Sequence, residues 1–450
     1  MAARKKASRD PSPFGRASLW IDNARDEAIT LQAELVRRNA VGPLSGGPGE
    51  LEKADFLEAW MVAQGFAPVR RLTSMDNGIQ RPNLVSVLPG RDRSRCLWLM
   101  SHMDVVPPGD VSSWRSEPFV LRVEGDKLVG RGVEDNHQGI VSSLLAVKAL
   151  IVNGVQPECD VGLLFVSDEE SASLHGIRWL LDHHRDLFGP NDSFVVPDAG
   201  NEDGSQIEVA EKSILWLRLK TVGKQVHAST PHLGRNAMTA GAHLIVRLAD
   251  LYSRFDARDP LFDPPSSTFE PTRHEASVQN VNTIPGDDVF YLDCRILPSV
   301  SVEAVQLAVR EIAAEVARHN RVVVNVDIVQ REDAAPSTPP SCDLVQRVIR
   351  SVRKVYNVDA RPRGIGGGTV AAYLRRLGWP VVVWARQDGT AHRPNEYVWI
   401  PNLLGDAKVF ASLTIGEVAP ETSVIDVDAN GPHDTTGGAN GSSATSGSGA

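Results

Sequence analysis

Residues 96–104 read Cys-Leu-Trp-Leu-Met-Ser-His-Met-Asp: an unbroken apolar run, then a histidine and an acid almost at once. A strand with one wet face alternates apolar and polar residues. A run that is apolar at every position fits a strand covered on both faces, in a sheet with helices on either side. Residues 84–88, 161–166, 194–196 and 380–385 repeat this texture. Between them Ile140, Leu144, Val147 and Ile151 recur at helical spacing, and Asn153-Gly154 supplies a stop. Strands alternating with helices predict an α/β fold: a mixed, mostly parallel sheet flanked by helices.

The texture changes over 213–330. Residues 214–219 alternate and are expected to form an edge strand. A helix is expected over 236–254, strands over 289–296 and 322–328, and a helix from Ser301 to His319, marked by Val305, Val309, Ile312 and Val316. The order strand, helix, strand, strand, helix, strand predicts an inserted α+β unit of ferredoxin-like type. The α/β texture resumes at about 335 with a helix over 342–356 and the strand at Val381. The expected division is therefore 13–212 and 331–416 for one domain and 213–330 for the insert. Residues 1–12 and 417–450 read as disordered tails, the latter drifting into Gly, Ser, Thr and Asn.

Composition narrows the function. Of 450 residues, 42% are hydrophobic and 23% charged, an ordinary mixture for a chain with a real core. The net charge is −9, with +3 on residues 1–10 and −5 on residues 417–450. An acidic body without a basic face speaks against nucleic acid as partner, because neutralising phosphates takes clustered Lys and Arg. No run approaches the ~18–20 apolar residues that span a bilayer. The basic N-terminus has no following apolar segment, so no secretory signal is expected. Cys96, Cys159, Cys294 and Cys342 are scattered, without a CxxC pair. Reduced thiols in a cytoplasmic protein are the expectation.

In open α/β sheets, functional groups collect beyond the carboxyl ends of the strands. Ser101-His102-Met103-Asp104 follows the run at 96–100, and Ser167-Asp168-Glu169-Glu170 follows 161–166. Pro197-Asp198 follows 194–196, and Arg386 through His392 follows the run ending at Ala385. Asp135 stands just before the helix of Ile140. Taken singly these signals are weak. Asp135 reads as an N-cap, Glu169-Glu170 as a solvated helix start, and His392 as a loop residue. Together they change the odds: several carboxylates aimed at one crevice repel and resist desolvation unless a cation sits among them. Two imidazoles with three or four carboxylates suit a pair of divalent ions such as zinc.

At this point a resemblance enters. SHMDVVP (101–107), GRGVEDNHQG (130–139), SDEES (167–171), PDAG (197–200), VHASTPHLGRNA (226–237), NTIPG (282–286), DCR (293–295) and GTAHRPNEY (389–397) resemble the dinuclear zinc amidohydrolases. That family includes acetylornithine deacetylase, succinyl-diaminopimelate desuccinylase, aminoacylase, glutamate carboxypeptidase and several dipeptidases. The likeness covers roughly residues 20–415, with the motifs in the family's order, and implies a zinc-peptidase sheet with the insert as lid and dimerisation domain.

Carried over residue by residue, the resemblance implies that His102 and Asp198 hold one metal, Glu170 and His392 the other, and that Asp135 bridges both. It gives Asp104 the orienting of His102 and Glu169 the role of general base. On the insert, His227 matches the lid histidine that donates to the tetrahedral oxyanion. Arg295 and Asn282 match residues that grip a substrate carboxylate, helped by backbone amides of the glycine-rich turn at 364–369, including Gly368 and Thr369. The implied cofactors are two divalent ions per subunit, zinc first, with cobalt or manganese as alternatives. The implied partners are an N-acyl amino acid or dipeptide and a second copy of the chain, bound through the lid. His232 is read as structural, and His137 has no assigned role.

Two signals bear on substrate. Family deacylases usually carry Glu where this chain has Asp198, and dipeptidases usually carry Asp; TAHRPNEY resembles the deacylases. The leading expectation is deacylation of an N-acyl amino acid such as N-succinyl-diaminopimelate or N-acetylornithine, with a dipeptidase as the alternative. An inactive metal scaffold is disfavoured by Glu169, which only catalysis needs.

Overall fold

The computed structural model describes residues 12–66 and 68–416. The tails expected at 1–12 and 417–450 therefore lie outside the described residues, apart from Ser12, whose hydroxyl accepts from the Gly15 amide (3.0 Å) and caps the helix Pro13–Asp22.

An eight-stranded mixed sheet forms the centre, in the order Arg70–Asp76, Ile79–Leu88, Cys159–Val166, Asp92–His102, Ser193–Asn201, Val381–Arg386, Gln206–Glu211, Arg361–Ile365. From Cys159–Val166 to Val381–Arg386 four successive strands run parallel, so their carboxyl ends meet along one edge. These strands contain all the apolar runs of the sequence but 84–88, which lies in the antiparallel Ile79–Leu88, and Leu99, Leu163, Phe194 and Val382 are all fully covered. Burying such a side chain contributes about 1.5–3 kcal/mol. Five of the eight strands coincide with the expected runs, with the Phe194 run extended to Asn201, which places Asp198 inside a strand end; Arg70–Asp76, Gln206–Glu211 and Arg361–Ile365 were not expected.

Helices cover both faces of the sheet. His137–Val152 is buried nearly all round between the sheet and the helix Ile400–Ile415, which explains why its sequence is apolar beyond a single stripe. It ends at Asn153, with Gly154 at φ +60°, where the sequence placed the stop. Gly139 lets this helix approach the strand that carries Asp198: a Cβ there would lie 2.3 Å from Asn136 Oδ1 and 2.8 Å from Pro197. Any side chain at 139 would push the two apart.

A four-stranded antiparallel sheet, in the order Thr268–Glu275, Asp287–Ile296, Ser213–Val222, Val323–Glu332, packs one face on the helices Ala237–Leu248 and Val302–Asn320. This is the ferredoxin-like arrangement expected. The expected edge position of residues 214–219 is corrected: Ser213–Val222 lies between Asp287–Ile296 and Val323–Glu332. Its alternation (Leu215, Leu217 and Leu219 buried, Trp216, Arg218 and Lys220 half-exposed) reports a sheet with one wet face, and interior strands of such a sheet alternate too. The outer strands are Thr268–Glu275 and Val323–Glu332, the latter with Val323, Ile328 and Val329 exposed. No described helix is long and apolar enough to cross a membrane.

Candidate metal centre

The parallel strands deliver their side chains to one crevice. His102 ends Asp92–His102, Asp198 lies near the end of the neighbouring Ser193–Asn201, Glu169 and Glu170 follow Cys159–Val166, and the loop after Val381–Arg386 carries His392. Asp135 enters from the start of His137–Val152. It is not the N-cap; Asn136 occupies that position, and its side chain instead donates to the Pro197 carbonyl (2.9 Å) and to Asp198.

Among the described residues, two sets of side chains bring ligand atoms within 4.8 Å of one another: His102, Asp135 and Asp198, and Asp135, Glu170 and His392. Asp135 belongs to both. Its Oδ1 lies 2.9 Å from His102 Nε2 and its Oδ2 lies 3.1 Å from His392 Nε2. Asp198 Oδ1 is 3.3 Å from His102 Nε2, and Glu170 Oε1 is 3.1 Å from His392 Nε2. Glu169 lies outside both sets.

The tautomer of His102 follows from its partners. Nδ1 lies 3.0 Å from the Asp104 carbonyl, which can only accept, so Nδ1 carries the proton and Nε2 is left to face the carboxylates. The Asp104 carboxylate is 3.5 Å from the same nitrogen and accepts from the amides of Glu169 (3.1 Å) and Glu170 (3.0 Å). Asp104 thus holds the His102 ring and the Glu169-Glu170 turn together.

The electrostatics are those of a crevice short of positive charge. Burial, then the charge of Asp198, raises Glu169 well above the usual carboxylate range; burial also raises Glu170. Hydrogen bonds from His392 to Asp135 and Glu170 push that imidazole up to about 10. Burial opposes charge on His102, yet Asp198, Asp104 and Asp135 raise it well above its ordinary value. Protons gathered on imidazoles do here what a cation would do better, and the mixed nitrogen and carboxylate set fits two divalent ions sharing Asp135.

Around this cluster lies a buried polar layer that the sequence reading missed. Glu396 accepts from Arg131 Nη1 (2.6 Å) and from the amides of Gly132 (2.9 Å), Glu134 (2.9 Å) and Asp135 (3.1 Å). Glu134 accepts from the loop that carries His392. Arg81 joins Glu50 (2.6 Å) to Asp168 (3.2 Å), just before Glu169. His137 is buried with Nε2 2.7 Å from Lys53 Nζ; burial and that lysine hold it well below its usual value, a neutral acceptor. The signal available for Glu134 and Glu396 was their place inside GRGVEDNHQG and GTAHRPNEY.

The residues expected on the insert fall in two groups, and among the described residues neither makes a hydrogen bond or ion pair to the cluster. His227 pairs with Thr283 across a two-residue ladder, its Nδ1 2.7 Å from Ser229 Oγ, and Ala228 donates to the Asn282 carbonyl (2.8 Å). Arg295 is gripped by Asp293 (2.7 and 3.1 Å) and donates to the Gly366 carbonyl (2.9 Å), which joins the DCR strand to the glycine-rich turn. One expectation differs in detail. Thr369 gives its amide (3.0 Å) and hydroxyl to Glu211, so neither is free for a ligand, whereas Gly368 lies one residue before this anchor.

Comparison with known proteins agrees with this geometry. The model of Peptidase family M20/M25/M40 matches residues 98–415. An uncharacterized metallohydrolase of Methanocaldococcus jannaschii is 37% identical over 403 residues, 86% of this chain and 98% of that protein. A succinyl-diaminopimelate desuccinylase of Dinoroseobacter shibae is 29% identical over 382 residues, 84% of this chain and 95% of its own length. An aminopeptidase of Bacillus cereus has a similar solved structure, with TM-score 0.69 and 19% identity, covering 87% of this chain and 98% of that one.

Proposed function

Since the chain belongs to peptidase family M20/M25/M40 and is therefore a metal-dependent hydrolase of amide bonds, we propose that it removes the acyl group from an N-acyl amino acid. The observation that carries this reading is the pair of ligand sets sharing Asp135, with the neighbouring Glu169 outside both. His102 and Asp198 would hold one divalent ion, Glu170 and His392 the other, with Asp135 common to the two. Bound there, such ions, zinc in the first instance, supply Lewis acidity toward the scissile carbonyl and lower the pKa of water.

The chain's own groups do the remainder. Glu169, its carboxyl raised above the usual carboxylate range by burial and by Asp198, takes a proton from the attacking water and returns it to the departing nitrogen. Asp104 keeps His102 in one tautomer and fixes the backbone of Glu169 and Glu170. His227, exposed on the insert, donates to the developing oxyanion. Arg295 exchanges Asp293 for the carboxylate of the substrate, helped by Gly368 of the adjoining turn, and Asn282, next to the His227 segment, supplies a further contact.

Similarity to a desuccinylase supports a deacylase acting on N-succinyl-diaminopimelate or a related N-acyl amino acid. Asp198 favours a second reading, dipeptide hydrolysis by the same groups. Assaying the metal-loaded protein against N-acyl amino acids and dipeptides separates them; turnover of dipeptides alone overturns the first, and turnover of neither overturns both. We further infer a homodimer, supported by the outer strand Val323–Glu332, whose far edge ends the sheet with Val323, Ile328 and Val329 exposed. Four free cysteines support a reducing, cytoplasmic setting.

A further inference from the structure

His392 has the least packing of the five candidate ligands. Its side chain is 55% exposed, and its backbone is left-handed at φ +63°, a conformation that a non-glycine residue keeps only where its surroundings impose it. One buried carboxylate ties down the residues just before His392, beside the bonds that Thr390 and Asp388 make to Tyr397 and Trp399. Glu134, 2% exposed, accepts from the amides of Asp388 (2.8 Å), Thr390 and Ala391 (2.8 Å) and from the Thr390 hydroxyl (2.8 Å). A carboxylate ringed by backbone N–H groups makes charge-assisted bonds, and here it closes a loop over more than 250 residues of sequence. Glu134 also immediately precedes Asp135, the one residue common to both ligand sets. The other set is held differently: His102 through the Asp104 carbonyl, and Asp198 through Asn136.

We propose that Glu134 is a positioning residue for one half of the metal centre, fixing the His392 loop against Asp135 and so setting the affinity of the ion shared by Asp135, Glu170 and His392. The ion shared by His102, Asp135 and Asp198 does not depend on it. The inference rests on reading these five side chains as ligands.

Calorimetric titration of metal-free protein with Zn²⁺ at pH 8 tests it. The wild type is expected to bind in two steps. In E134Q one step should weaken about 10- to 100-fold, the usual effect of losing an outer partner of a metal ligand, while the other is unchanged. His392→Ala should lose that same step, and E134Q added to His392→Ala should change the remaining step no further. Thr390→Ala, which removes the hydroxyl shared with Tyr397 but leaves the carboxylate and its three amide donors, should weaken the same step by less, and guards against a folding defect in E134Q. Equal weakening of both steps, or a further loss when E134Q is added to His392→Ala, would overturn the assignment, since a general loss of structure has no such selectivity. A wild type that binds no metal would instead overturn the reading of the cluster itself.

Discussion

Replacing Glu396 by Gln should be among the most damaging single changes in the chain outside the candidate ligands. The carboxylate is fully buried and is paired with Arg131, whose side chain is 1% exposed. Removing one partner of a buried pair strands the other charge, at a cost of about 3–5 kcal/mol. The amide of Gln also turns an NH₂ toward the N–H groups of Gly132, Glu134 and Asp135, leaving at least one without an acceptor, a further ~1–3 kcal/mol. The two costs overlap, so a loss of about 4–6 kcal/mol is expected, against a total stability of about 5–15 kcal/mol. Urea unfolding at pH 8, followed by tryptophan fluorescence, reads this as a fall in midpoint at unchanged slope. The double variant Arg131→Met with Glu396→Gln leaves no stranded charge and should lose less than Glu396→Gln alone. A cost below about 1 kcal/mol for Glu396→Gln, or a double variant worse than the single, would refute the claim that this pair pins the Asp135 turn.

Glu169→Gln should retain both ions and lose about 10²- to 10⁴-fold in kcat, measured beside metal content; undiminished turnover removes Glu169 as the base. His227→Ala should lower kcat with metal content unchanged, and mixing it with Glu169→Ala should restore activity if each site borrows its partner's His227. Metal-free protein should melt lower as pH rises from about 6 to 9. Burial pushes Asp406 up to about 7 and Glu208 up to about 8, and hydrogen bonds to Asp135 and Glu170 raise His392 to about 10. A folded pKa above the unfolded one means stability that is present at low pH and lost as pH rises through the folded value, and these groups share that sign. Saturating metal should oppose the trend, because ions bind the deprotonated imidazoles; a melting temperature of the metal-free form that climbs over this range contradicts the assignment.

Much of the fold was legible because the relevant signals are local. Runs such as 96–100 announce a doubly covered strand, and each is followed directly by the residue it delivers, His102, Glu170, Asp198 or His392. Asp135 by itself reads as an N-cap, and only the resemblance singles it out as the shared ligand. What was hidden is non-local. The alternation at 214–219 reports which face is wet and is silent on which strands lie alongside. Glu134 and Glu396 are ordinary acids until a loop over 250 residues away closes on them. Arg295 illustrates the same limit: its residue type suggests a carboxylate grip, and the structure gives it Asp293, two residues away, and Gly366 on another element.

The account stands on two ions sharing one aspartate. Crystals grown with zinc, with diffraction recorded on either side of its absorption edge, locate the ions directly. Two anomalous peaks are expected, one beside His102 and Asp198 and one beside Glu170 and His392, with Asp135 in reach of both. A single peak, or a pair that leaves Asp135 untouched, would contradict it.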